Sequence, residues 1–464
     1  MSFEFVKRQL RKARLFAQYK IRVSAAQTIV GGFLLIILVG AILLTLPIAT
    51  RSGESTGFVD ALFTATSSTC VTGLVVFDTY SYWSLFGQTV ILTMIQIGGL
   101  GFMTMGAVFA FILKSKISFR QRLVMSESIG MDMTSGIVRM TQHILVGTLI
   151  FETVGALILA VRFIPEFGFW DGIYKGVFHA VSAFCNSGMD LMGEREAFSS
   201  LTYYVNDWTV NLTIMLLITI GGTGFYVWED IYHAKSYKGL SLHSKIVLTM
   251  NISLVVVGAL LIFGMDYHNP ETLGPLSPAS KVLASLFQSV ASRTAGFNTV
   301  DLSSLSVAST FTMILLMFIG GAPGSTAGGI KTTTLGLLFF TAISSLRGSK
   351  DVNAFARRME PMAVRRAVTI VLIALCVVAV GIIILSGADP ELSFIEVVFE
   401  VVSAFGTVGL SLGITPEMGV ISKLAIACIM FFGRVGVLTI MLSLTLKGFK
   451  AKNTVRYPIG RILI

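Results

Sequence analysis

The sequence predicts an all-α polytopic membrane protein in which one helical unit occurs four times. Three observations lead to this prediction. The 464 residues are 54% apolar and 13% charged, whereas soluble domains carry about 25% charged residues. Uncharged runs of about 20 residues, enough to cross a bilayer about 30 Å thick, recur along the chain. A short element containing glycine also recurs, with its glycine at Gly73, Gly188, Gly296 and Gly409.

The first unit, residues 28–113, sets the pattern. Its first span is Ile29–Ile48, which Pro47 ends because proline cannot donate a helical hydrogen bond. The apolar segment Phe58–Thr69 is too short to cross the membrane and leads into the first glycine element. A second uncharged run, Thr89–Leu113, completes the unit. The short segment therefore enters the membrane and returns on the same side.

The other three units repeat this order at 140–230, 231–346 and 367–446. Their predicted spans are Ile144–Val161, Trp208–Trp228, Ile246–Gly264, a run that begins near Thr310, Ala367–Ala388 and Leu424–Leu446. The chain thus has eight predicted transmembrane helices and four re-entrant helices of about 10 residues.

Most of the 35 lysines and arginines fall on one predicted side of the membrane. They lie in the arm 1–27, the connections 114–139 and 347–366, the loop 235–245 and the tail 447–464. Basic loops stay in the cytoplasm, so both termini are predicted to be cytoplasmic. The net charge of +10 does not indicate nucleic-acid binding, because the basic residues occupy short loops between apolar runs.

The four glycine elements are the predicted functional site. Non-helical backbone is tolerated at membrane depth only inside protein or around a water-filled cavity. A ring of backbone carbonyls can replace the hydration shell of a monovalent cation, and glycine keeps side chains out of such a ring. The predicted ion-binding residues are Cys70, Val71, Thr72, Gly73, Cys185, Asn186, Ser187, Gly188, Thr294, Ala295, Gly296, Gly406, Thr407, Val408 and Gly409. The alternative, ordinary turns between packed helices, is disfavoured by the fourfold recurrence.

Six sequence strings carry a resemblance to a known family. They are Thr72–Leu74, Gln96–Phe102, Ser182–Gly188, Arg293–Asn298, Ala404–Leu410 and Phe432–Gly436. With them the chain resembles the membrane subunit of the Trk/Ktr/HKT superfamily of potassium transporters, most closely the bacterial Ktr type. The resemblance implies four M1–pore helix–M2 repeats with pseudo-fourfold symmetry around one pore. Gly73 stands where sodium-preferring plant relatives have serine, which favours K⁺.

The resemblance also implies partners and a location. It implies a homodimer in the bacterial plasma membrane, seated on a cytosolic ring of nucleotide-binding regulatory subunits of the RCK/KTN type. Uptake of K⁺ is then expected to depend on Na⁺. No nucleotide is expected to bind this chain itself, because it contains no soluble regulatory domain.

The second span of the third unit is predicted to be broken. Residues 320–330 contain five glycines and a proline, which a regular helix does not tolerate. The family resemblance marks this segment as an intramembrane gating loop. The predicted gate residues are Gly320, Gly321, Gly324, Ser325, Thr326, Ala327, Gly328, Gly329, Lys331 and Arg434. Our hypothesis is that Arg434 packs beneath the loop and opposes cations; the alternative is that it pairs with Glu152.

Two other function classes compete with a gated pore. A Na⁺-coupled K⁺ symporter with alternating access would normally show discontinuous helices in paired halves and several intramembrane carboxylates. The sequence predicts one broken span and one clear mid-span carboxylate, Glu152. A membrane enzyme would need a convergent catalytic or metal-binding set. The five histidines lie largely in loops, so no catalytic activity is predicted.

Overall fold

The computed structural model describes residues 24–101, 122, 124–125, 136–349, 351–436, 439–440 and 443, and they are mainly helical. The helices are α1 (Ala25–Thr45), α2 (Phe58–Cys70), α3 (Thr79–Tyr82), α4 (Leu85–Leu100), α5 (Ile137–Phe167), α6 (Phe169–Cys185), α7 (Trp208–Thr223), α8 (Phe225–Ala234), α9 (Leu242–Asp266), α10 (Pro278–Ala291), α11 (Val307–Phe318), α12 (Thr332–Leu346), α13 (Pro361–Ala388), α14 (Phe394–Gly406) and α15 (Val420–Val435). A hairpin, β1 (Asn353–Ala354) and β2 (Arg357–Arg358), lies before α13.

Three sequence-based predictions lie wholly or largely outside the described residues. They concern the basic arm 1–27, the connection 114–139 and the tail 447–464.

Four helices, α1, α5, α9 and α13, are each long and apolar enough to cross a membrane, judged over the described residues. Local sequence sets where they begin. In α1, the Ser24 hydroxyl accepts a hydrogen bond from the Gln27 backbone, and the Gln27 side chain accepts one from Ser24. This capping box satisfies amide groups that a helix start leaves unpaired. Apolar side chains on these helices face outward, as lipid contact requires; Val161 is 73% exposed and Ile383 is 71% exposed.

The second spans of the first, second and fourth units depart from the prediction that they are continuous helices. α4 and α15 end at Gly101 and Gly436, and α7 ends at Gly224; all three glycines have positive φ angles. The predicted continuous span Trp208–Trp228 is therefore wrong, since α8 follows α7 at a bend of 91°. Positive φ suits glycine and stops a right-handed helix. The break predicted in the second span of the third unit is present, since α11 stops at Phe318 and α12 begins at Thr332.

Contacts between the units close into a ring. In the first, second and fourth units the short helix, α2, α6 or α14, packs against the helices before and after it, whereas in the third unit the short helix α10 packs against α9. The helix that follows it packs against the short helix of the next unit: α4 on α6, α7 on α10, and α11 on α14. α15 then packs on α2, which joins the last unit to the first. The carboxyl ends of the four short helices consequently lie in the interior of the ring.

Candidate functional site

The four predicted glycine elements share one backbone geometry. Two residues before each glycine, the chain passes through a positive φ angle: 56° at Val71, 62° at Asn186, 74° at Thr294 and 51° at Thr407. Such angles are uncommon for residues with a side chain and are tolerated where surrounding structure fixes them. We call the segments 70–73, 185–188, 293–296 and 406–409 the glycine turns. Each one begins at the last residue of a short helix or, in the third unit, two residues after it.

The structure brings the four glycine turns into mutual contact. A Cβ atom added at Gly73 would collide with the Ser187 carbonyl oxygen, and one at Gly188 with the Ala295 carbonyl oxygen. A Cβ atom at Gly296 would lie 2.7 Å from the Val408 carbonyl oxygen, and one at Gly409 would collide with that of Thr72. The turns therefore meet in the cyclic order first, second, third, fourth, first. Their backbones approach so closely that only glycine fits at these four positions.

Serine side chains support three of the turns. The backbone N–H of Gly73 donates to the Ser67 hydroxyl and that of Gly409 to the Ser403 hydroxyl, each at 3.1 Å. In the second turn, the Ser182 hydroxyl donates to the Met189 carbonyl at 2.6 Å. Each serine stands six residues before its glycine, where the third turn has Val290. The third turn thus lacks the hydroxyl that supports the other three.

All four glycines border one cavity of about 280 Å³, here called the outer cavity. Its wall also includes the carboxyl groups of Asp78, Asp190 and Asp301. Burial raises the pKa of Asp190 to about 7, and the negative charge of Asp78 adds to the rise. For Asp301 the same burial effect is outweighed by hydrogen bonds from Ser303 and Ser304, which lower the pKa below its usual value. The cavity therefore presents carboxyl groups that attract cations.

The segment Gly320–Lys331, here called the inner loop, lies against the glycine turns at residues that precede the four glycines of the outer cavity, namely Asn186, Gly406 and Thr407. Backbone hydrogen bonds attach it to α7, since Ala322 donates to the Gly222 carbonyl at 3.0 Å and Thr326 to that of Gly221 at 3.2 Å. The Thr326 hydroxyl donates to the Phe184 carbonyl at 3.1 Å and contacts the Asn186 side-chain amide at 3.2 Å. The inner loop therefore touches the second glycine turn directly.

The inner loop also meets the fourth glycine turn. A Cβ atom added at Gly328 would collide with the Thr407 side chain, and one at Gly329 would lie 3.2 Å from Gly406 Cα. A further backbone bond joins Gly329 N–H to the Gly433 carbonyl at 3.3 Å. The glycines of the inner loop thus permit its close approach to the turns.

Arg434 and Lys331, two cations predicted to lie within the membrane, bind carbonyl groups around the inner loop. Arg434 donates to the carbonyls of Thr326, Gly98 and Gly99, and so connects the loop to α4. Lys331 Nζ donates to the Ala327 carbonyl at 2.7 Å. Carbonyl contacts of this kind offset part of the cost of a cation in the membrane.

The alternative pairing of Arg434 with Glu152 is wrong. Gln96 Nε2 donates to Glu152 Oε2 at 3.2 Å, and Cys185 Sγ lies 3.9 Å from Glu152 Oε1. A polar cluster therefore lies behind the second glycine turn. Cys70, by contrast, is fully buried at the end of α2.

Sequence reasoning missed the contact of Asn186 with Thr326, and it did not identify the partners of Arg293. Arg293 Nη2 donates to Asn251 Oδ1 at 2.7 Å and to the Gly320 carbonyl at 3.1 Å. Arg293 therefore holds the start of the inner loop. One sequence signal did mark the third unit as different. The second spans of the first two units contain the pattern Gly-Gly-x-Gly, at Gly98–Gly101 and Gly221–Gly224. The fourth unit keeps it at Gly433–Gly436 with Arg434 in the second place, whereas the third unit has Pro323 in the last place. That departure distinguishes the third unit from the others.

The fold and the site define a class of protein, a polytopic membrane protein of ion transport. Comparison with known proteins agrees with this class. A family model described as TrkH, cation transport protein, matches residues 2–452. The chain belongs to the TrkH family of cation transport proteins. Its homologues are transporters and not enzymes.

Two relatives cover nearly the whole chain. The chain is 42% identical to the potassium/sodium uptake protein NtpJ of Enterococcus hirae over 446 residues, which are 96% of this chain and 98% of that protein. It is 40% identical to the Ktr system potassium uptake protein B of Bacillus subtilis, over 95% of this chain and 97% of the relative. The solved structure of the potassium transporter TrkH from Vibrio parahaemolyticus aligns with a TM-score of 0.70 at 18% identity, over 92% of this chain and 86% of that one. This last likeness concerns the fold.

Proposed function

We propose that this protein takes up K⁺ across the bacterial plasma membrane through a gated, channel-like pore. Four M1–pore helix–M2 repeats surround the pore with pseudo-fourfold symmetry, and the glycine turns form its selectivity filter. The observation that carries the proposal is the cyclic contact of Gly73, Gly188, Gly296 and Gly409 at the base of the outer cavity. Two relatives are named potassium or potassium/sodium uptake proteins, which supports K⁺ as the transported ion.

The proposed filter works through backbone carbonyls. An ion that arrives in the outer cavity sheds water and exchanges it for carbonyl oxygens of residues such as Thr72, Ser187, Ala295 and Val408. The positive φ angles that precede each glycine turn the backbone, and the glycines leave no side chain between neighbouring turns. The exchange needs no covalent chemistry, because the carbonyl dipoles are already oriented.

The inner loop is the proposed gate. Its contacts with Asn186 and Thr407 support this role, because they bring loop backbone against two of the glycine turns. Arg434 and Lys331 add two positive charges at the loop. Transport then requires the loop to move away, which breaks the carbonyl contacts of Arg434. A segment without helical hydrogen bonds moves at lower cost than an intact transmembrane helix.

We further propose a homodimer with cytoplasmic termini that works with a cytosolic nucleotide-binding ring of the RCK/KTN type. The relative from B. subtilis is named as a component of a Ktr system, which supports additional subunits. The relative from E. hirae is named a potassium/sodium uptake protein, which supports Na⁺-dependent K⁺ uptake.

The decisive experiment measures K⁺ uptake in cells that lack other K⁺ uptake systems, with and without Na⁺, for the parent and Gly73→Ser. We expect the parent to restore uptake and the variant to lose preference for K⁺ over Na⁺, because the added side chain enters the ring at Ser187. Equal ion preference in the two proteins, at equal membrane insertion, would reject the filter. Uptake that stops when an opposing Na⁺ gradient is applied would favour the symporter.

A further inference from the structure

A side cavity of about 180 Å³ lies next to the inner loop and separate from the outer cavity. Its walls come from α7, α9 and the end of α10, with Ile252, Val255 and Val290 among the apolar lining residues. Gly222, Gly321 and Arg293 also line it. The cavity is therefore a mainly aliphatic space against the backbone of the proposed gate.

The mouth of the side cavity faces the membrane. Ile252 is 64% exposed and Val256 is 48% exposed, and both lie near the middle of the 25-residue helix α9. A residue in the middle of a spanning helix lies within the hydrocarbon layer, where head groups and bulk water are absent. The molecules that reach this mouth are lipid acyl chains.

The floor of the side cavity belongs to the attachment of the inner loop. Arg293 donates to the carbonyl of Gly320, and Gly222 accepts the N–H of Ala322. Arg293 is 8% exposed and forms no ion pair with a carboxylate among the described residues. An empty cavity would deprive these groups of packing partners on one side. An occupant would restore the contacts and restrict movement of the loop.

We propose that an acyl chain of a membrane phospholipid enters the side cavity and stabilises the inner loop in the arrangement described here. Transport through the pore is then sensitive to the shape of the surrounding acyl chains. This regulation rests on the proposed function, because it needs the inner loop to be the gate. The acyl-chain site itself stands on the cavity and its position in the membrane.

Adjacent valines on α9 supply a matched test. Val256 lines the cavity, whereas Val257 is similarly exposed, at 53%, and does not line it. In Val256→Trp the indole side chain fills the mouth of the side cavity in place of an acyl chain. In Val257→Trp the same indole group lies on the outer surface and leaves the mouth open. The purified proteins are reconstituted with a phospholipid that carries a photoreactive diazirine within one acyl chain.

After illumination, mass spectrometry locates the lipid adducts. We expect adducts on residues 218–222 and 251–256 in the parent and in Val257→Trp, and at least about fivefold fewer in Val256→Trp. Equal labelling of the two variants would overturn the site, and so would absence of adducts from both segments in the parent. A second copy of the chain that covers the mouth would give the latter result.

Flux in two lipids tests the regulatory part. Methyl-branched diphytanoyl chains are wider than straight dioleoyl chains and fit the cavity less well. We expect K⁺ flux through the parent and Val257→Trp to be about three- to fivefold higher in diphytanoyl lipid, and that of Val256→Trp to be equal in both. An equal lipid response in the two variants overturns the regulation. Lipid adducts without K⁺ flux in either lipid would reject the proposed function and leave the site intact.

Discussion

The glycine turns and the inner ends of the second spans differ in how closely they follow the fourfold repeat. At the turns, all four units have a glycine in the same contact and a positive φ angle two residues earlier. At the inner ends, Gly98, Gly221 and Gly433 each pack against the last turn of a short helix, at Thr69, Phe184 and Phe405 respectively. The equivalent Gly320 packs instead against Gly328 of its own loop.

This difference suggests a division of labour. An ion on a pore axis needs similar ligands from every direction, so the proposed filter keeps its repeat. A gate needs a segment with two arrangements of similar energy. The inner loop of the third unit, which departs from the repeat, supplies such a segment, while the other three units keep the repeated packing. The following predictions test this contrast, from the largest expected effect to the smallest.

The largest effect is expected when a side chain enters the ring. Gly409→Ala places a methyl group against the Thr72 carbonyl and close to Gly73 Cα, at a φ angle of 91°. We expect K⁺ uptake to fall about 100-fold, a change equivalent to about 2.7 kcal/mol. Uptake of ⁸⁶Rb⁺ into proteoliposomes measures it.

Gly413→Ala is the control for the preceding variant. Gly413 has a similar φ angle of 104°, but a Cβ atom there meets nothing within 4 Å. The control carries the backbone strain without the collision, so its uptake should remain within about threefold of the parent. Equal losses in the two variants would attribute the effect to strain and contradict the ring.

The second effect is expected at the inner loop, with the opposite sign. Arg434→Ala removes the donor that holds the carbonyls of Thr326, Gly98 and Gly99, and removes a cation from the proposed gate. We expect K⁺ flux to rise about tenfold, because hydrogen bonds to charged groups contribute about 1.5–3 kcal/mol. Deletion of 324–327 should act in the same direction.

Arg358→Ala is a charge-matched control for Arg434→Ala. Arg358 lies on β2, is exposed and pairs with Asp351 at 2.8 Å, away from the inner loop. Its removal should leave flux unchanged. Parent-like flux through a folded and inserted Arg434→Ala protein would show that the loop does not limit transport.

Prediction from sequence succeeded where local rules decide the structure. Proline ends the first span, as predicted: α1 stops at Thr45, two residues before Pro47. The segment predicted to enter and return, Phe58–Thr69, is the helix Phe58–Cys70. Glycine spacing likewise identified the four turns, because the same backbone geometry demands the same residue each time.

Prediction failed where tertiary contacts decide. The bend at Gly224 was missed because hydropathy continues unbroken across the glycine into α8. The partners of Glu152 and Arg293 lie 56 and 42 residues away in sequence. Apolar periodicity carries no information about such polar pairs, which depend on how the units close into the ring.

The third prediction tests the support of individual turns. Ser403→Ala leaves the half-buried N–H of Gly409 without its acceptor at 3.1 Å. The loss of one such bond costs about 1 kcal/mol, so we expect about a fivefold loss of discrimination between K⁺ and Na⁺. Competition of Na⁺ with ⁸⁶Rb⁺ uptake measures the discrimination.

Ser422→Ala is the control for the loss of a buried hydroxyl. Ser422 on α15 is fully buried, and its hydroxyl has no hydrogen-bond partner within the described part of the chain. Discrimination should be unchanged in this variant. A loss of equal size in both variants would assign the effect to packing. The serine hydroxyls would then support their turns no better than Val290 supports the third turn.

The smallest effect is expected from titration in the outer cavity. Because the pKa of Asp190 is raised to about 7, this carboxyl group loses its negative charge as the outside pH falls from about 8 to about 6. One charge about 8 Å from a hydrated ion is worth about 0.5 kcal/mol, so K⁺ uptake should fall about twofold over that range.

Asp190→Asn should show the lower rate at every pH, whereas Asp301→Asn should keep the pH dependence, because the lowered pKa of Asp301 leaves it charged throughout. A pH dependence that persists in Asp190→Asn and disappears in Asp301→Asn would show that Asp301, and not Asp190, is the titrating group. In either case the carboxyl groups around the proposed filter differ in pKa from one unit to the next, whereas the four glycines are equivalent.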